Sequence, residues 1–142
     1  MPCFKDRDEL ISVWRPFFER LARDAEVGPL LRKTNLVVRL RVVDPAAVVT
    51  IDARRDAPPP DHVAVVLGES DLRPDVTLSS SADFAHQLWQ GKADVMAALF
   101  GGRLGVEGDL GQAARFAPAL QPIGGLYTRY LRDIGRVDLI TE

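Results

Sequence analysis

The sequence predicts an α+β fold. Three observations carry this. Between residues 36 and 79, apolar and polar residues alternate with a period of two, the pattern of strands with one buried face. Before and after that stretch, apolar residues recur at steps of three and four, the pattern of amphipathic helices. The two kinds of segment are segregated along the chain, which disfavours a doubly wound parallel sheet. At 142 residues a single domain is expected. It has an N-terminal helix over about residues 6–27, a sheet over about 34–79, and a helical part with one short strand over about 80–136.

In the first segment Leu10, Trp14, Phe17, Leu21 and Ala25 recur at helical spacing, with Ile11, Phe18 and Ala22 beside them. Pro16 removes a backbone donor and clashes one turn back, so a kink or break is expected near residues 13–15. Gly28 and Pro29 end the helix. Residues 36–43 and 48–53 form a hairpin around the Asp44-Pro45-Ala46-Ala47 turn. Val38, Leu40 and Val42 share one face of the first arm, with Arg39 and Arg41 on the other. On the return arm Val49, Ile51 and Ala53 oppose Thr50 and Asp52. Residues 56–61, with Pro58, Pro59 and Pro60, read as an exposed loop. Short strands follow at 63–67 and 75–79, the second with Val76 and Leu78 on one face.

From residue 80 the period becomes helical. Ser80 and Asp83 form a capping pair. Phe84, Leu88 and Trp89 form the apolar side of the helix, and Gly91 stops it. Asp94 starts a shorter helix with Val95, Met96, Leu99 and Phe100, ended by Gly101 and Gly102. Residues 103–107 form a brief strand. Asp109 caps the next helix, with Gln112 in the reciprocal position and Leu110, Ala113, Ala114 and Ala117 facing inward. Pro118 ends that helix. A last one starts near Pro122 and carries Ile123, Leu126, Tyr127, Tyr130, Leu131 and Ile134.

Charge and motifs narrow the function. The formal net charge is -2, from 18 basic and 20 acidic residues, whereas general nucleic-acid binders are ordinarily basic. Nucleic acid is therefore not an expected partner. Cys3 is the only cysteine, so no internal disulfide can form. No apolar run approaches the ~20 residues that span a bilayer, so no transmembrane segment is expected. Residues 1–9 are charged without an apolar signal core behind them, and Leu139, Ile140, Thr141 and Glu142 are no peroxisomal address. A cytoplasmic location is the resulting expectation.

Catalytic signatures are weak. Ser79, Ser80 and Ser81 lack a surrounding Gly-x-Ser-x-Gly elbow and read as helix-capping residues. His62 and His86 are the two histidines. Asp83 and His86 lie three apart and can meet on a helix surface, where a solvated polar face opposite Phe84 and Leu88 is the simplest reading. Gly105, Gly108 and Gly111 match neither a dinucleotide fingerprint nor a phosphate loop, and no metal-binding motif is present. No cofactor and no metal are expected. Arg39, Arg41, Arg54 and Arg55 could form a basic patch, but Asp44, Asp52 and Asp56 dilute it, and a solvated sheet face is expected. The residues by themselves lead to an α+β domain rich in large apolar side chains, without a recognisable catalytic apparatus.

Residues 102–116 (Gly102-Arg103-Leu104-Gly105-Val106-Glu107-Gly108-Asp109 and the helix that follows) resemble the sterol carrier protein-2 family, with its Gly-Lys-Leu-x-Val-x-Gly-Asp strand and turn. Asp75-Val76-Thr77-Leu78 is similar to the family's aspartate-led strand. Ala82-Asp83-Phe84 through Leu88, then Gly91-Lys92-Ala93-Asp94, is similar to its helix and Gly-Lys-x-Asp turn. Arg103 stands where the family's lysine is usual, and the tail from Pro118 extends past the minimal domain.

The resemblance implies a five-stranded, mainly antiparallel sheet covered by helices, with an apolar cavity between them. It implies non-enzymatic binding or transfer of a sterol, fatty acid, acyl-CoA or similar lipid. Under that reading the lining candidates are Phe84, Leu88, Trp89, Met96, Leu99, Phe100 and Phe116. Leu126, Tyr127 and Tyr130 close one end, a tyrosine hydroxyl holding the ligand's polar group. The partner is then a hydrophobic small molecule, and transient membrane contact and a homodimer are compatible with it. Two alternatives stay open. One is an interaction module with a filled core. The other is a small enzyme for a hydrophobic substrate, using Asp83 with His86 or a tyrosine.

Overall fold

The computed structural model describes residues 3–54 and 61–141. Arg55, Asp56 and the three prolines of the 56–61 loop lie outside the described residues. The elements run α1 (Arg7–Arg23), α2 (Val27–Thr34), β1 (Val37–Val43), β2 (Ala47–Asp52), β3 (Ala64–Leu67), β4 (Val76–Ser81), α3 (Ala82–Trp89), α4 (Val95–Phe100), β5 (Gly105–Gly108), α5 (Leu110–Ala114) and α6 (Ala117–Asp133). A short 3-10 turn, Val137–Leu139, follows. The fold is α+β, as the sequence predicts. Five strands form one sheet in the order β3-β2-β1-β4-β5. All neighbours are antiparallel except β1 and β4.

The hairpin follows the alternation. Val38 pairs with Ile51 and Leu40 with Val49. With Val42, these four are at most 5% exposed. They meet α1 and α6 across one apolar core that includes Leu10, Trp14, Phe17, Ile123 and Tyr127. Asp75 locks the parallel pairing: its Oδ2 accepts from the Val37 N–H at 2.8 Å, and its own N–H donates to the Val37 carbonyl. Gly108 has φ +107, and a Cβ there would collide with the Asp75 carbonyl oxygen, so only glycine fits this β4–β5 end.

Several expectations are corrected. α1 is unbroken through Pro16. Ser12, whose carbonyl the proline leaves without a donor, is exposed, so water can take that role. Gly28 and Pro29 do not end a helix but lie in the first turn of α2, where backbone N–H groups need no intrahelical acceptor. Asp24 starts it, accepting from the Glu26 and Val27 N–H groups. Ser81, not Ser80, caps α3 by accepting from the Phe84 N–H at 3.0 Å. Asp83 accepts from the Cys3 N–H rather than closing a capping box.

Pro118 sits in the first turn of α6 instead of ending the helix before it, and α6 begins at Ala117 rather than near Pro122. α5 has no buried residue, and Leu110 is exposed rather than inward. Arg39 is buried rather than solvated. Its guanidinium donates to Thr50 Oγ1 at 3.0 Å and to the Leu72 carbonyl at 2.7 Å, because the loop before β4 folds over that part of the sheet. Arg41 is exposed and pairs with Glu69.

Candidate functional site

The sequence candidates separate into three groups. Leu126, Tyr127 and Tyr130 lie inside the main core, packed with α1. Phe84 and Leu88 belong to a second, smaller apolar cluster with Ala98 and Leu104, and Leu99 packs against it. Met96 and Phe100, one turn apart on α4, are 59% and 86% exposed. Trp89 and Phe116 belong to the main core but face the border with the smaller cluster, where Leu78 touches both.

An apolar void of about 20 Å³ lies on that border. The sheet contributes Val38, Leu40, Val49, Ile51 and Leu78; the helices contribute Leu88, Trp89, Phe116 and Leu120. The void is about as large as one water, yet its lining offers few polar partners for one. Trp89 carries the lone buried side-chain polar atom without a hydrogen-bond partner among the described residues, its indole Nε1. The sheet residues and Leu120 are not among the sequence candidates. For the sheet residues the available signal is the alternation that puts Val38, Leu40, Val49 and Ile51 on one face. Leu120 lies between two prolines that look like helix breaks.

Outside the void runs an open groove of about 660 Å³. Leu88 and Leu120 line both spaces and separate them. The groove lies between the end of α3, the turn to α4 and one face of α6. Close approach of α3 and α6 depends on Gly124: a Cβ there would stand 2.7 Å from the Gln90 carbonyl oxygen.

His86 is the main correction among the polar residues. It is completely buried, not on a solvated face. Its Nε2 lies 2.7 Å from the Leu139 carbonyl and its Nδ1 lies 2.8 Å from the Tyr127 hydroxyl. A carbonyl only accepts, so Nε2 carries the hydrogen and Nδ1 accepts from the hydroxyl in the neutral ring. Tyr127 Oη in turn accepts from Trp14 Nε1 at 3.1 Å. Burial holds the His86 pKa below its ordinary value, partly offset by the Leu139 carbonyl and the charge of Asp83. Burial likewise raises that of Tyr127. The Tyr130 hydroxyl donates to the Val13 carbonyl. Both tyrosine hydroxyls are thus committed within the protein.

Neither the void nor the groove is lined by His86 or Tyr127. Asp83 lines a separate surface cleft with Cys3 and Arg103, which does not include His86. Burial first, then Asp83, pushes the Cys3 thiol pKa up, so the thiolate is disfavoured. Among the described residues no cluster of three or more His, Cys, Asp or Glu side chains could hold a metal ion. No helix among them is long and apolar enough to cross a membrane.

Comparison with known proteins bears on the fold. The model of the SCP-2 sterol transfer family matches residues 17–121. Among curated protein sequences none matches the chain. Among solved structures, the chain resembles sterol carrier protein domain 2 of Helicoverpa armigera at 21% identity and a TM-score of 0.62, over 82% of this chain and 88% of that one. Sterol carrier protein 2 of Yarrowia lipolytica aligns at 18% identity and a TM-score of 0.51, over 85% and 88%. The sec-alkylsulfatase Pisa1 of a Pseudomonas species aligns at 18% identity and a TM-score of 0.55, over 73% of this chain but 16% of that enzyme. At these identities the likeness is one of fold.

Proposed function

The chain belongs to the SCP-2 sterol transfer family, and on that basis we propose that it binds or transfers a sterol, fatty acid, acyl-CoA or similar lipid without chemistry on it. The observation that carries this reading is the wholly apolar seam between sheet and helices, at the border of two separate apolar clusters. A seam between clusters is where a core opens at least cost, because little packing bridges it. Leu88 and Leu120 are the wall to move, and the open groove lies directly beyond them.

A lipid site needs roughly 300 Å³ or more, so the void of about 20 Å³ must widen as the ligand enters. Each 100 Å² of apolar ligand surface removed from water contributes about 2.5 kcal/mol before entropic costs. That gain has to exceed the packing energy given up as the seam opens.

Uptake of a fluorescent sterol and a fluorescent fatty acid by delipidated protein tests the reading. Saturable uptake of either, with a change in tryptophan emission, is the expected result. Absence of both would remove it.

A second reading draws on the small size of that same void. The domain would be filled by its own side chains and associate through a surface, with Met96 and Phe100 on α4 as the exposed apolar candidates. Sedimentation of the wild type and of Phe100→Ser distinguishes it: this reading requires an oligomer that the substitution disperses.

A further inference from the structure

We propose that the groove along α6 selects lipids with one acyl chain and an anionic head, seating the head on Arg129 and Arg132. This rests on the lipid-binding reading and deepens it by naming the ligand class.

The lining residues of α6 recur at helical spacing on a single face, from Ala117 and Leu120 through Gly124 and Gly125 to Thr128 and Arg132. That face changes character along its length. It is apolar at its N-terminal end, bare of side chains in the middle and cationic at its C-terminal end. The fifteen steps from Ala117 to Arg132 span about 22 Å at the helical rise per residue, the reach of a long acyl chain. The opposite wall, with Leu88, Ala93 and Val95, continues the apolar end. No Asp or Glu lines the groove.

The two arginines are unengaged among the described residues. The carboxylate nearest in sequence, Asp133, lies four residues beyond Arg129 and is held instead by Arg20 of α1 at 2.9 Å. Thr128 Oγ1 donates back to the Gly124 carbonyl. The cationic end therefore presents guanidinium donors with no internal acceptor. A carboxylate, phosphate or sulfate head is the complementary group, because guanidinium binds such oxyanions through paired, charge-assisted hydrogen bonds.

A neutral sterol offers that end one hydroxyl and no charge. An anionic chain lies along the groove with its tail at Leu88 and Leu120, the residues that also wall off the interior seam.

Parinaric acid and its methyl ester give matched probes that differ at the head group alone, one charged and one neutral, and fluoresce on leaving water. Titrated into the delipidated full-length protein at low ionic strength, the acid is expected to bind about tenfold more tightly than the ester. Arg129→Gln with Arg132→Gln should bring the acid down to the ester's affinity and leave the ester unchanged. Both side chains are exposed, so the fold is retained. Gly125→Leu offers a second route. A Cβ at Gly125 meets nothing within 4 Å, so leucine fills the groove without disturbing the core and should weaken the acid. Equal binding of acid and ester, unaffected by the arginine substitutions, overturns the head-group assignment while leaving lipid binding intact. Failure of both probes to bind overturns the assignment, and the lipid-binding reading falls with it only where the fluorescent sterol is not taken up either.

Discussion

Gly124 and Gly125 are neighbours in α6, yet alanine should act on them with opposite sign. In a helix interior Gly→Ala is worth up to about 1 kcal/mol in favour of folding, because glycine loses more backbone freedom. At Gly125 nothing lies within 4 Å of the added Cβ, so the full gain is expected. At Gly124 the Cβ would meet the Gln90 carbonyl at 2.7 Å and 2.9 Å, and the Gly91 nitrogen at 3.1 Å. These are backbone atoms and cannot rotate away, so α3 and α6 must separate. Overpacking of this kind costs about 1–3 kcal/mol. The net for Gly124→Ala is thus between about zero and 2 kcal/mol of destabilisation, a difference of about 1–3 kcal/mol between the two variants. Urea unfolding followed by tryptophan emission reads this directly, with an unchanged slope confirming a shift in stability alone. Equal stabilisation by both alanines would refute the claim that Gly124 sets the α3–α6 distance.

Further outcomes follow from the buried polar groups. Tyr127→Phe leaves the Trp14 indole N–H and His86 Nδ1 without partners and should cost about 2–4 kcal/mol. Tyr130→Phe removes a single donor to a carbonyl and should cost about 1 kcal/mol in the same urea assay. His86 is held neutral below its ordinary pKa of 6.5, so the unfolded chain takes up a proton that the native state refuses. Stability is then flat above about 6.5 and falls as pH drops below it, by at most about 1.4 kcal/mol per pH unit, until the lowered native pKa is passed. Urea midpoints between pH 7.5 and 5.5 should show this fall in the wild type and less of it in His86→Gln. Asp75→Ala strands the buried Val37 N–H at the start of β1 and should cost about 1–3 kcal/mol by thermal or urea unfolding.

The sheet is legible in the sequence because its signal is local. Val38, Leu40, Val49 and Ile51 reveal their common face by period two, and the hairpin turn fixes their register. The helical stripes of α1 and α6 are legible for the same reason. Punctuation and context are not. Pro29 and Pro118 look like stops, but a first turn tolerates a proline as readily as the segment after a helix does. His86 looks solvated because Phe84 and Leu88 lie opposite. α3 is in fact wedged between two clusters, with Ala85, His86 and Trp89 against the main core and Phe84 and Leu88 against the smaller one. The small Ala82 and Ala85 on its apparent polar side are the one local hint of burial. Arg39 is covered by a loop dozens of residues away in sequence, which no periodicity reports.

The candidate site is legible in part. Leu88, Trp89 and Phe116 do line the seam, while Met96 and Phe100, equally apolar, face outward on α4. Residue type does not separate them, because a six-residue helix with one buried position has too little periodicity to orient itself. The arginine end of the groove is invisible for a different reason. Arg129 and Arg132 look like ordinary solvated helix residues until the structure shows a groove wall without acids.

Native mass spectrometry of protein purified under mild conditions, before and after solvent extraction and again after adding back lipid, tests lipid binding most directly. The expected result is a one-to-one adduct of a few hundred daltons that extraction removes and added lipid restores. A protein that is ligand-free as purified, and takes up neither sterol nor fatty acid in excess, would contradict it.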